Sequence, residues 1–252
     1  MTPFQLIRNL FRAEVNGSSE HRHRLVNFLL KRSNFARIEK LLSKLEVSVV
    51  YDIGAHKGDW CREFQEVCGE RFEMFLFEPN PTLLKHLSSL RHKVFNVALS
   101  DTVREVSFFM SSRSGDSYYL EDTGRYRGAS PTKVMTETID NIVSENKISI
   151  PDFIKIDTQG SEIDILRGAK NSLGSCKLLL IEIPLVPYNI GAPVTADYFS
   201  YLEQLDFLPI EIGEIHRGYG LQLQVDILFI RKEAFRLTHP GVEVDMAFLR
   251  SR

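Results

Sequence analysis

The stretch VVYDIGAHKGDW, residues 49–60, decides the fold class of this chain. Val49, Val50 and Tyr51 read as a buried strand. Asp52 closes that strand, Gly54, Ala55 and Gly58 mark a tight turn, and a helix follows. An apolar strand passing through such a turn into a helix is the opening unit of a parallel sheet covered by helices. Glycines there let a ligand approach the backbone, and the helix start attracts negative groups. The turn reads G-A-x-x-G rather than the G-x-G-x-x-G of dinucleotide-binding folds. An acid at the strand end suits a ligand carrying positive charge or amine donors better than a bare pyrophosphate.

Outward from this unit the texture repeats. FEMFLFE (72–78), KVFNVAL (93–99), FIKID (153–157) and LLLIEI (178–183) are short apolar strands, with helical stretches at 59–68, 80–90 and 161–172. Their alternation predicts a parallel sheet buried on both faces. FLPIEIGEI (207–215) and LQVDILFIR (223–231) are joined by HRGYG, a connection short enough only for antiparallel neighbours. Between residues 100 and 140, VREVSFFM and KVMTETIDNIVSE flank a polar, Gly- and Ser-rich loop, and a helix is expected to start near Thr138.

Composition bounds the function. The chain has 252 residues, 43% hydrophobic and 25% charged, with a formal net charge of −2. That supports one sizeable domain and no basic field for a nucleic-acid partner. Three cysteines, Cys61, Cys68 and Cys176, form no ligand or disulfide pattern, which suits a reducing compartment. No run of about 18 apolar residues suggests a transmembrane helix, and MTPFQLIRNLFRAEV lacks the apolar core of a signal peptide. The expectation is a soluble cytoplasmic protein. Residues 1–45 read as basic and helical, broken at VNGSSE, where Ser18 or Ser19 offers an N-cap. They are expected to pack on the main domain; the alternatives are a lid over substrate or a peripheral membrane contact.

Successive strand ends carry candidate ligand contacts. In FLFEPNP (75–81), Glu78 stands at the end of the second strand, where doubly wound folds place an acid on ribose hydroxyls. NVALSD (96–101) ends the third strand, where a base would lie. The three turns converge on one crevice at a topological switch point.

The succession YDIGAHKGDW, LFEPNP, NVALSD, TIDN, FIKIDTQGSEIDILRGA and LLIEIPLVPY closely resembles the FkbM family of S-adenosylmethionine-dependent methyltransferases, over roughly residues 47–231. The resemblance implies a Rossmann-like class I methyltransferase fold: a mostly parallel seven-stranded sheet with helices on both faces. It divides the chain into a helical extension (1–45), a methyltransferase domain (46–233) and a C-terminal tail (234–252). It implies S-adenosylmethionine as cofactor and methyl transfer to a hydroxyl of a sugar, glycoconjugate or glycosylated natural product. Asp52, Gly54, Ala55, His56 and Gly58 would surround the methionine portion. Glu78 would hold the ribose, with Pro79 and Asn80 beside the adenosine. Ala98 and Leu99 would flank the adenine, Asp101 would reach its amine, and Ser117 would border the site. The family commonly has a glutamate where this chain has Gln159.

Transfer to an alcohol needs an acceptor for the departing proton and an anion beside the sulfonium. Asp157, ending the fourth strand, and Glu182, within the fifth, are the candidates for catalysis, with Asp157 also facing the cofactor. Tyr188, His216 and Arg217, on later loops, are candidate substrate contacts. Asp157 and Glu182 are also the conceivable metal ligands, but no tightly spaced ligand set is evident, and the expectation is metal independence. In FIKIDTQGSEIDILRGAK (153–170), Ser161 and Asp164 match a capping box, and Glu162 falls in the first helical turn. Two rival functions remain: a non-catalytic cofactor-binding scaffold, to which the Gln159 departure points, and a nicotinamide-dependent oxidoreductase.

Overall fold

The structure, a computed structural model, describes residues 35–110, 115–122 and 130–242. Most of the expected helical extension and its Ser18/Ser19 cap lie outside these residues. The first described helix, α1, covers residues 35–44. Strand β1 (Val49–Ile53) then leads into α2 (Asp59–Cys68), and β2 (Glu73–Phe77) into a 3₁₀ turn (Pro81–Leu83) and the one-turn helix α3 (Leu84–Leu87). Three short strands follow, β3 (Lys93–Phe95), β4 (Ala98–Leu99) and β5 (Glu105–Phe108), then β6 (Thr132–Glu137) and α4 (Ile139–Asn146). The second half comprises β7 (Phe153–Ile156), α5 (Glu162–Arg167), β8 (Leu178–Pro184), α6 (Thr195–Gln204), β9 (Phe207–Gly218), β10 (Leu221–Arg231) and α7 (Lys232–Thr238).

Seven strands form the central sheet in the order β3-β2-β1-β7-β8-β10-β9. β10 runs antiparallel to both neighbours, and the other pairings are parallel. The sheet is the mostly parallel one that the sequence predicts, with the chain reversing direction beside β1. Side chains alternate across it. Tyr51, Ile53, Phe77, Ile156 and Ile181 bury one face with Ile139, Ile163 and Tyr198 from α4, α5 and α6. Val50, Leu76, Leu178 and Leu228 bury the other with Phe35, Ile38 and Leu42 of α1 and Phe64 of α2. Thr138 accepts from Asn141 N and caps α4 as expected.

Four elements differ from the sequence reading. KVFNVAL is not one strand. Phe95 O accepts from Glu78 N, and Asn96 then turns its amide onto the Glu78 and Pro79 carbonyls. The chain thereby leaves the sheet, and Ala98–Leu99 pairs with β6 in a separate three-stranded sheet. The helix expected over 161–172 stops at Arg167, where Asp140 draws the N–H groups of Asn171 and Ser172 out of line. The β9–β10 hairpin closes on Tyr219 and Gly220, both at positive φ (52° and 77°), which matches a two-residue turn to the strand twist. His216 and Arg217 therefore belong to a strand and not to a loop. The tail expected from 234 begins inside α7, whose Ala234 joins the core.

Candidate active site

A cavity of about 810 Å³ opens at the carboxyl ends of β1, β2, β7 and β8, bounded by β4 on one side and the β9–β10 hairpin on the other. That volume is typical for a small-molecule ligand.

Its first wall is the turn after β1. Gly54 and Ala55 donate their N–H groups to Phe77 O (3.0 and 3.1 Å), so the turn is locked to the end of β2. Gly54 has φ +75°, and a Cβ there would stand 1.9 Å from the carbonyl oxygen of Asp157. A Cβ on Gly58, the left-handed N-cap of α2, would meet Leu90 at 2.6 Å. Both glycines thus make room for the protein's own chain, where the sequence suggested room for a ligand. His56, also left-handed at φ 48°, donates its N–H to Glu78 Oε2 (2.8 Å), and Asn80 N donates to Oε1 (2.8 Å). Burial pushes the Glu78 carboxyl up to about 7, although these two donors oppose it. Each oxygen keeps a lone pair for the cavity it lines.

The second wall is apolar: Val97, Ala98, Leu99 and Phe108, with Ile53, Phe77 and Ile165 behind. Tyr118 closes it, donating to Asp164 Oδ2 at 3.1 Å.

The third wall is a row of polar side chains on one face of the sheet. Lys155 Nζ, buried, stands 3.2 Å from Asp52 Oδ1 and 3.6 Å from Asp157 Oδ2, and donates to Gly54 O. Burial raises Asp157, but Lys155 outweighs it and holds the carboxyl below its ordinary range. Burial and the adjacent Asp157 push Glu182 well up. Gln159, left-handed at φ 58°, donates its amide to Asp157 and to Glu182. Gln224 adds an amide donor to Glu182 Oε2 (2.6 Å). His216 Nε2 lies 3.5 Å from Glu182 and 3.7 Å from Asp226. Burial lowers its pKa, but Asp226 more than compensates, so the imidazole rises to about 9. Tyr188 OH reaches Gln159 Oε1 at 3.4 Å, and Arg217 borders the same end.

Of the residues singled out in the sequence, Gly54, His56, Glu78, Pro79, Ala98, Leu99, Asp157, Glu182, Tyr188, His216 and Arg217 line this one cavity. The others stand behind it. Asp52 is fully buried against Lys155, with no hydrogen bond to either oxygen among the described residues. Ala55 and the α2 start belong to the core. Asn80 caps the 3₁₀ turn and holds Asp116, which does line the cavity. Asp101 turns to Arg104, and Ser117 Oγ donates to Gln159 O.

The acids of residues 153–170 divide differently from the capping-box reading. Ser161 makes no side-chain cap. Asp164 instead accepts from Tyr118 and Tyr119 and pairs with Arg167. Glu162 is the residue that fixes the turn: its carboxylate accepts from the N–H groups of Thr158 and Gly160 and from Tyr198 OH (2.6 Å). Sequence reading missed Gln224 and Asp226. They alternate with Val225 and Ile227 along β10, and that alternation was the available signal.

A family model described as the methyltransferase FkbM domain matches residues 52–209, more than half of the chain. The chain belongs to the FkbM methyltransferase family. Among curated relatives, this FkbM chain is 26% identical over 144 residues to the hexuronic acid methyltransferase AglP of Haloferax volcanii, covering 55% of this chain and 56% of that protein. It is 28% identical over 164 residues to the 2-O-methyltransferase NoeI of Sinorhizobium fredii, covering 58% of this chain and 67% of that protein. The matches therefore span between about half and two thirds of those relatives. Among solved structures, the methyltransferase FkbM from Methylobacillus flagellatus KT is similar at 18% identity and TM-score 0.47, over 72% of this chain and 43% of that one. Magnesium protoporphyrin IX methyltransferase from Synechocystis is similar at 8% identity and TM-score 0.48, over 91% of both chains. No described helix is long and apolar enough to cross a membrane.

Proposed function

We propose that this chain is an S-adenosylmethionine-dependent O-methyltransferase whose acceptor is a hydroxyl of a sugar or glycoconjugate. The observation that carries the reading is the placement of Glu78, Ala98–Leu99 and Asp157 on three walls of one cavity in a chain of this family. The donor set fits the cofactor: a carboxylate with free lone pairs for a ribose diol, an apolar slot for a flat base, and anions for a sulfonium. The names of both curated relatives, a hexuronic acid methyltransferase and a 2-O-methyltransferase, support the acceptor class.

S-adenosylmethionine, when bound, supplies an electrophilic methyl group: the acceptor oxygen forms the new C–O bond as the C–S bond breaks, and the electron pair stays on sulfur. The chain's residues do the rest. Glu78 holds the ribose, fixing the approach to the methyl. Tyr188, His216 and Arg217 hold the acceptor, and such positioning is worth up to ~7–11 kcal/mol. Asp157, kept ionised by Lys155, takes the hydroxyl proton as the bond forms. Gln159 fixes the orientation of Asp157 and Glu182.

Calorimetry with S-adenosylmethionine tests the reading. Wild type is expected to bind, and Glu78→Ala to bind at least roughly tenfold more weakly, the loss of a charge-assisted hydrogen-bond pair being about 1.5–3 kcal/mol. No binding by wild type of either the cofactor or its demethylated product overturns it. In Asp157→Asn, turnover on a sugar acceptor should fall roughly 10²–10⁴-fold while cofactor affinity changes far less. Equal losses would make Asp157 a binding residue.

A further inference from the structure

Glu182, Asp226 and His216 come from three adjacent strands. Asp226 is the cross-strand partner of Glu182, and His216 is the partner of Gln224, two residues from Asp226 along β10. All three project on the face of the sheet that carries Asp157. One ligand atom from each of the three lies within 4.8 Å of the other two, and His216 Nε2 stands 3.5 Å from Glu182 Oε1 and 3.7 Å from Asp226 Oδ1. Three ligands on a four-coordinate ion with bonds near 2.1 Å have edges of about 3.4 Å, so the two edges at the histidine are close to that size. Glu182 is only 5% exposed, and its Oε2 is held by the amides of Gln159 and Gln224, while Oε1 faces His216. Such outer contacts fix a ligand's orientation.

His216 reaches both Glu182 and Asp226, while Lys155 pairs with Asp52 and Asp157. Glu182 and His216 line the cavity, beside Tyr188 and Arg217.

We propose that Glu182, His216 and Asp226 form a site for a divalent transition-metal cation at the acceptor end of the cavity, with open coordination positions for acceptor hydroxyl oxygens. One nitrogen and two carboxylate donors suit Mn²⁺ or Zn²⁺, and the absence of a thiolate ligand disfavours the softest ions. Three protein ligands with a free position is the arrangement that leaves room for substrate. A vicinal pair of sugar hydroxyls would complete the shell, and coordination would acidify the one being methylated. That use rests on the methyltransferase reading; the existence of the site does not.

The rival state is a protonated His216 that bridges the two acids with no metal. Electron paramagnetic resonance with Mn²⁺ alone, added to the metal-stripped full chain, separates the two. Wild type should bind one equivalent, and His216→Ala and Asp226→Asn should each bind more weakly by at least roughly tenfold. Asp226→Asn preserves shape, and thermal unfolding of each variant without metal checks that it folds. If a variant does not fold, a Mn²⁺-dependent rise in the wild-type melting temperature, reversed by chelator, replaces it. No binding by wild type, or equal binding by folded variants, overturns the site. Calorimetry with S-adenosylmethionine on the same samples keeps the outcomes apart: cofactor binding without Mn²⁺ binding overturns the metal site alone, and the reverse overturns the methyltransferase reading alone.

Discussion

Glu78 shows how much one side chain's surroundings decide. Its type and strand-end position were legible in FLFEPNP, but its ionisation was not. The pKa near 7 comes from burial, which only the folded chain supplies. Ribose hydroxyls donate to a carboxylate, so the ionised form is the one that binds. The protonated form therefore competes increasingly as pH falls below 7. Calorimetry at several pH values should show S-adenosylmethionine affinity constant above pH 8 and falling toward tenfold per unit well below 7. Glu78→Gln should bind weakly with no such slope. A wild-type affinity flat from pH 5.5 to 8 would remove Glu78 from the ribose. Glu162 teaches a related lesson. Sequence spacing favoured Asp164 as the cap, because a capping box is a local pattern. The residue that saturates the turn is Glu162, whose third partner, Tyr198, lies 36 residues on.

At the scale of elements, apolar periodicity located the strands, because burial on both faces leaves few polar interruptions. It could not place the end of KVFNVAL, where a single asparagine amide takes two carbonyls and pulls the chain from the sheet. Nor could it foresee that the segment 115–122 is tethered to α5. Tyr118 and Tyr119 both donate to Asp164 Oδ2 (3.1 and 2.8 Å), and Phe109 and Ser117 close a bridge beside them. The segment packs over the cavity through those bonds, since Tyr118 forms part of the wall. Asp164→Ala removes the shared acceptor; Tyr118 OH keeps Ser100 Oγ, and the half-buried Tyr119 hydroxyl is left to find a new partner, at a cost of about 1 kcal/mol. Hydrogen exchange should then accelerate in 115–122 while β1, β7 and β8 keep their protection. Uniform acceleration across the sheet would instead mean that Asp164 supports the whole fold.

Across the whole molecule, the sheet carries a polar row through an apolar interior: Asp52, Lys155, Asp157, Glu182, Asp226 and His216, contributed by β1, β7, β8, β10 and β9 and the turn after β7. Asp52, Lys155, Glu182 and Asp226 each stood in the sequence as a polar position in an apolar strand, Asp157 at a strand end, and His216 in what read as a loop. Their adjacency was not visible there, because it depends on strand order, which brings β7 beside β1 across a separation of about 100 residues. Asp157 was singled out from its strand-end position alone, whereas Lys155 passed as part of an ordinary strand. Yet Lys155 governs the row: buried, it pairs with Asp52 and Asp157, and those anions hold its pKa above the ordinary lysine value despite burial. Lys155→Met strands the fully buried Asp52 carboxylate and should cost about 3–5 kcal/mol in urea unfolding. Adding Asp52→Leu to that variant removes the stranded charge and should restore part of the loss, giving a coupling of at least about 1 kcal/mol between the two positions. The partner anion Asp157 should respond differently. With Lys155 gone, its carboxyl loses the cation that holds it ionised, so methyl transfer by the double variant should stay low after stability recovers. Additive losses at positions 52 and 155 would show that Asp52 draws nothing from the ammonium beside it. Recovery of turnover together with stability would show that the row holds the sheet together and leaves the chemistry to other groups.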